Sequence, residues 1–184
     1  MKTALAAAAA LALVLAVTAC GSSARRAATP SGVLPAAAVS GLAVVTRPLT
    51  GEEVQKDAGV PHLSTRLAGW GYIGGWQRTF QGESRRLTLV VSRSLQFRTS
   101  PGAAAFVRFM HQNAGRFYPF ALTSRLRMPG RSGWLIRPPL CSCHMATPLL
   151  VGVIAQGRSV SWLEINGPQA STQLLTGLLA RTPA

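Results

Sequence analysis

The chain has 184 residues, 19 of them basic and 5 acidic, for a formal net charge of +14. Asp57 is the lone aspartate, and Glu52, Glu53, Glu83 and Glu164 are the glutamates, which leaves few carboxylates for acid–base chemistry. No Gly-x-Ser-x-Gly elbow, phosphate loop or dinucleotide fingerprint occurs, so the sequence points away from an enzyme and from a bound cofactor.

Residues 1–19 read MKTALAAAAALALVLAVTA: a basic start at Lys2, an apolar run, then small residues. This is the layout of a secretory signal. Ala4 to Ala19 is short for a bilayer span, which takes about 20 apolar residues. Cys20 follows directly, with Gly21-Ser22-Ser23 behind it. Residues 17–20 resemble the lipobox of bacterial lipoproteins, in which small residues at 18 and 19 admit a peptidase to the bond before the cysteine. The resemblance implies a diacylglyceryl thioether on Cys20 and an address at the cell membrane, on its extracytoplasmic face. Two acyl chains hold firmly where one does not. A plain secretory cut and a retained anchor are the alternatives.

Without residues 1–19 the chain carries 18 basic and 5 acidic side chains, or +13, and 17 of the bases are arginine. Arginine grips phosphate or carboxylate in two-pronged fashion. An exported domain of this charge is drawn to anionic headgroups or envelope polymers, unless the arginines reflect codon usage alone. Nucleic acid is not an expected partner outside the cytoplasm.

Residues 20–45 are rich in Ala, Gly, Ser and Pro and read as a lipidated cysteine plus a disordered tether. Such a coil would hold the domain about 25–30 Å from the bilayer. Residues 46–184 form one domain, with Leu42 to Val45 a candidate first strand. Thr50-Gly51-Glu52-Glu53 is a capping box that opens a short helix to Ala58, with Gly59 as its stop. His62 to Gly69 reads as loop. Gly71 to Phe80 and Arg86 to Phe97 read as strands; in the second, Leu87, Leu89, Val91, Leu95 and Phe97 alternate with polar residues. Ser100-Pro101 opens the main helix, with Ser100 as its N-cap. Ala103, Phe106, Val107, Met110 and Ala114 form its apolar face, and Gly115 ends it. Phe117, Tyr118 and Phe120 form an aromatic knot expected in the core. Hairpins follow across 129–131 and 156–158, then a closing helix from Gln169 to Ala180. The sum predicts an α+β fold, a mainly antiparallel sheet with helices on one face.

Arg78 and Arg93 fall on apolar faces of their strands. A bulge or strand end would turn them out; otherwise each needs a partner or an anionic ligand, because a bare buried charge is costly. They are therefore candidate anion-binding residues. Glu164 shares a face with Val160 and Trp162, and if covered it calls for an arginine partner.

Cys141-Ser142-Cys143-His144-Met145 is the one dense set of soft ligands. Three readings are open. Cys141 and Cys143 close a very small disulfide, favoured by an oxidising compartment. The alternative is a copper or zinc site that adds His144 and Met145, with His62 or His111 as a further zinc ligand. The third is a pair of free thiols.

The lipobox, the Ala/Pro tether and the strand–strand–helix order resemble small surface lipoproteins of actinobacteria. In element order the domain also resembles PsbP-like domains and the extracellular sensor domains of mycobacterial receptor kinases, although the sensors carry disulfides at wider spacing. The resemblance assigns a role to Cys20 alone. The expectation is a lipid-anchored, non-catalytic domain that binds an amphipathic or anionic envelope molecule, or a membrane protein; the alternative is a soft-metal binder.

Overall fold

The computed structural model describes residues 30–83, 85–129, 131–140 and 147–183. Period-two alternation yields seven strands: β1 (Ala43–Leu49), β2 (Tyr72–Gln81), β3 (Leu89–Phe97), β4 (Leu122–Met128), β5 (Arg131–Arg137), β6 (Leu149–Gln156) and β7 (Ser159–Asn166). They form one sheet in the order β1-β2-β3-β7-β6-β5-β4. Every neighbouring pair is antiparallel. The helices are α1 (Gly51–Ala58), α2 (Leu63–Gly69), α3 (Ser100–Gln112), α4 (Ala114–Phe117) and α5 (Thr172–Leu179). The α+β antiparallel architecture expected from the sequence is the one observed.

Each face of the sheet buries its own core. On one face Leu95, Phe97, Val151, Val153, Val160 and Trp162 meet Val54, Leu63, Leu67, Phe106 and Met110 from α1, α2 and α3. On the other, Phe80, Val90, Ile154, Leu163 and Ile165 meet Leu34 and the α5 leucines 175, 178 and 179. Helices α1 to α4 thus share one face, and α5 takes the opposite one, so the helices do not all lie on one face as the sequence reading expects. Gly152 lets α5 come close: a Cβ there would stand 2.6 Å from Leu179 Cδ1. Strand β6 is apolar on both sides because it is covered on both sides.

Four local departures from the sequence reading stand out. Within the segment read as a disordered tether to residue 45, Val33 and Leu34 are buried. Leu34 N–H donates to Ser92 Oγ (2.9 Å), and its carbonyl accepts from Arg78 Nη1 (2.8 Å). The segment 62–69, read as loop, holds α2. That helix has no side-chain N-cap bond, and His62 before it sits at φ 59°. Burial of Leu63 and Leu67 and capture of Ser64 by Gln55 hold it instead. The N-cap of α3 is Thr99, one residue earlier than expected, its hydroxyl accepting from Gly102 N–H at 3.2 Å. Phe120 leaves the aromatic knot altogether, at 87 % exposed.

Candidate functional site

A single register row crosses the helix-covered face: Arg47, Gln77, Arg93, Trp162, Val153, Trp134, Arg125. Arg93 at its centre is only 7 % exposed and is not turned out. The register shift in β2 lies at Tyr72/Gly74, well away from it. Its Nη1 donates to Glu164, its Nε to Gln77 Oε1 (2.8 Å), and its Cζ lies 4.3 Å from the Trp162 ring centroid. Asp57 Oδ2 stands 3.9 Å from Nε, and Arg47 pairs with that same carboxylate and with Glu53. Charges alternate from the sheet edge inward, Arg47, Asp57, Arg93, Glu164. The expected arginine partner of Glu164 is therefore Arg93.

Tyr118 closes this network. Its hydroxyl donates to Glu164 Oε1 (2.7 Å) and accepts from Trp162 Nε1 (3.0 Å). Burial, then the Glu164 charge, pushes the Tyr118 phenol well above its usual range. Burial works against the Arg93 cation, but Glu164, Tyr118 and Asp57 outweigh it and hold the guanidinium above its ordinary value. No buried side-chain nitrogen or oxygen among the described residues lacks a partner. The buried part of the network is thus satisfied by its own members.

Arg78 lies on the opposite face. Its Nε donates to Thr46 Oγ1 (2.8 Å) and its Nη1 to the Leu34 carbonyl. The structure therefore separates the two predicted arginines rather than joining them, and Arg78 pins the N-terminal arm. His62 precedes α2, and His111 stacks on Trp134 with ring centroids 3.4 Å apart. Cys20, Cys141, Cys143, His144 and Met145 lie outside the described residues. Among the described residues no three His, Cys, Asp or Glu side chains group to hold a metal.

A concavity of about 510 Å³ runs between residues 38–40 of the arm and α5. That volume falls within the range of small-molecule sites. Val39, Leu87, Leu174 and Leu178 give it an apolar floor. Arg86 stands by Gln169 before the helix, its Nε donating to Gln169 Oε1 at 3.2 Å. Arg181 stands beyond the last turn, its Nη1 reaching the Ala38 carbonyl at 3.4 Å. Basic groups thus border a trough of mixed polarity at both ends of α5, about 12 Å of helix apart. Sequence reasoning missed this groove because one wall is an arm read as disordered. The only signal was the pair Val33-Leu34 within a run of small residues.

No family model matches the chain, and no curated protein matches it. Among solved structures the chain is similar to the extracellular domain of PknH from Mycobacterium tuberculosis, at 15 % identity, over 76 % of this chain and 80 % of that one, with a TM-score of 0.37. No helix among the described residues is long and apolar enough to cross a membrane.

Proposed function

We propose that this chain is a lipid-anchored, extracytoplasmic and non-catalytic domain that holds an amphipathic anionic molecule in the groove between residues 38–40 and α5. The groove itself carries the reading: an apolar floor of Val39, Leu87, Leu174 and Leu178, with Arg86 and Arg181 at its ends. An acyl or other apolar body would bury on the floor, worth about 25 cal/mol per Å² of surface removed from water. An anionic head would meet a guanidinium at one end. The lipobox at residues 17–20 supports the anchor.

Gly177 supplies the test. It lines the groove, and a Cβ there meets no atom within 4 Å. Gly177→Leu therefore fills the groove from inside a helix, where replacing glycine stabilises by up to about 1 kcal/mol. With laurate as probe, displacing a fluorescent anionic amphiphile, the parent chain should bind and Gly177→Leu should lose at least tenfold in affinity without a lower melting temperature. Equal binding by both proteins removes the groove from the reading. The anchor is tested separately: Cys20→Ala should move the protein from the membrane to the soluble fraction.

A further inference from the structure

On the other face of the sheet, beyond the edge of α3, lies a second open groove of about 300 Å³. Ala104, Val107 and Arg108 of α3 form one wall, and Arg125, Ser132 and Trp134 of β4 and β5 form the other. The Arg125 guanidinium lies over the Trp134 ring, 4.2 Å from its centroid. His111 stacks on the same indole. Arg127 stands two residues along β4, on the same side of the sheet as Arg125, and pairs across the ladder with Ser132. Arg108, Arg125 and Arg127 are all exposed, and none makes a hydrogen bond or ion pair among the described residues.

This basic surface is uncompensated for a reason visible in the sequence. Between Glu83 and Glu164 the chain contains eleven arginines and no Asp or Glu. All of α3, β4 and β5 falls in that interval. The ion pairs among the described residues lie elsewhere: Arg47 and Arg93 share Asp57, and Arg93 also holds Glu164. Here Arg125 covers the indole, and Arg108 and Arg127 stand nearby on α3 and β4, with no carboxylate partner among the described residues.

We propose that this groove binds a linear phosphodiester polyanion. Arg125 and Arg127 are spaced by two strand residues, about 6.6 Å, which suits successive charged groups of an extended chain. Arg108 faces Arg125 across the groove, Arg127 extends the basic row along β4, and the Ser132 hydroxyl can donate to a phosphate oxygen. Each phosphodiester offers two oxygens to the planar fork of a guanidinium. On binding, Arg125 turns from the indole to the phosphate and uncovers the ring. The groove is open, so the ligand is a polymer lying along β4 rather than an enclosed small molecule. The proposal is independent of the α5 groove, which lies on the opposite face.

The experiment uses the chain from residue 20 onward, with Cys20→Ser, and a synthetic glycerol-phosphate hexamer followed by calorimetry and tryptophan emission. The hexamer should bind, with affinity falling as salt rises. Arg125→Gln with Arg127→Gln should weaken it at least tenfold at an unchanged melting temperature. Arg98→Gln with Arg158→Gln removes the same charge outside the groove and should cost less than threefold. The emission change should vanish in Trp134→Phe. Equal losses in the two double variants would reduce the interaction to bulk charge and overturn the site. So would absence of hexamer binding, glycerol phosphate monomer binding as tightly as the hexamer, or polyglutamate of equal charge binding as tightly.

Discussion

Arg93 on β3 and Glu164 on β7 each break the apolar alternation of their own strand, and they meet as an ion pair under the helices. Each residue alone looks like an error of pattern. Together they are a unit, because the low-dielectric interior that penalises a single charge strengthens the attraction between two.

Removing one partner should therefore cost far more than removing both. Arg93→Met leaves Glu164 buried beside Tyr118 and should destabilise by about 3–5 kcal/mol. Arg93→Met with Glu164→Leu should recover most of that loss, since apolar replacements of similar volume are often neutral. Urea denaturation of the two variants checks the ordering. A single variant within 1 kcal/mol of the parent would mean that water reaches the pair.

Both tyrosines of the chain, Tyr72 and Tyr118, have phenols pushed up by burial first and by a glutamate charge second. Tyr72 donates to the Leu49 carbonyl at 2.8 Å, and Tyr118 to Glu164. A phenol whose folded value is raised keeps its proton longer in the native state than in the unfolded chain. Its contribution is full below the unfolded value near 10 and is lost as pH rises through the folded value. Absorbance at 295 nm should stay flat past pH 10 and rise only with alkaline unfolding. Tyr118→Phe strands the Trp162 N–H and one Glu164 bond, at a cost of about 1–3 kcal/mol. Ionisation of either phenol near pH 10 in the folded protein would contradict this account.

The strands and both hairpins were legible because period-two alternation and Gly-containing turns are local signals. The mispatterned Arg93 and Glu164 were legible too, and pairing the two exceptions would have placed β3 beside β7. Helix α2 was not legible: Pro61 precedes it, Gly69 ends it, and no cap residue marks it. Burial of Leu63 and Leu67 decides its conformation, and that is tertiary information. The arm was hidden for the same reason, since Leu34 is held through its backbone by Ser92 and Arg78 from strands far along the chain. Each groove combines elements distant in sequence, so neither leaves a contiguous motif.

The arm gives a prediction of its own. Leu34 is fully buried against Phe80 and the α5 side of the sheet. Leu34→Ala should cost about 2–5 kcal/mol, as for any large-to-small change in a core. The same variant should loosen the wall formed by residues 38–40, so laurate affinity should fall as well. Limited proteolysis between residues 30 and 42 would report the release. A cost near zero would return this segment to the tether.

The capping box at Thr50 and Glu53 is formed in full: Glu53 N–H donates to Thr50 Oγ1 (3.2 Å), and Thr50 N–H donates to Glu53 Oε2 (2.6 Å). Thr50→Ala should cost about 1 kcal/mol. The Thr50 N–H, ahead of opposing burial, and with help from Arg47, holds the Glu53 carboxyl below its usual 4.5. A carboxyl lowered in the folded state contributes fully above its unfolded value and loses that contribution as pH falls through the folded one. The gap between parent and Glu53→Gln in thermal melts should therefore narrow below pH 4.5. A gap that stays constant would leave the ionised carboxylate without a role.

Phe120 sits at φ 60° with its ring 87 % exposed. A left-handed backbone costs an L-residue with a Cβ roughly 1–2 kcal/mol, and glycine escapes that cost. Glycine gives back roughly 0.5–1 kcal/mol through the extra freedom of its unfolded chain. The exposed ring contributes little burial to offset the difference. Phe120→Gly should therefore be stabilising by about 0.5–1 kcal/mol, a rise of about 2–3 °C in melting temperature for a domain of this size. A loss of 1 kcal/mol or more would show that the ring holds a contact that outweighs the backbone strain, and would return Phe120 to the aromatic cluster of Phe117 and Tyr118.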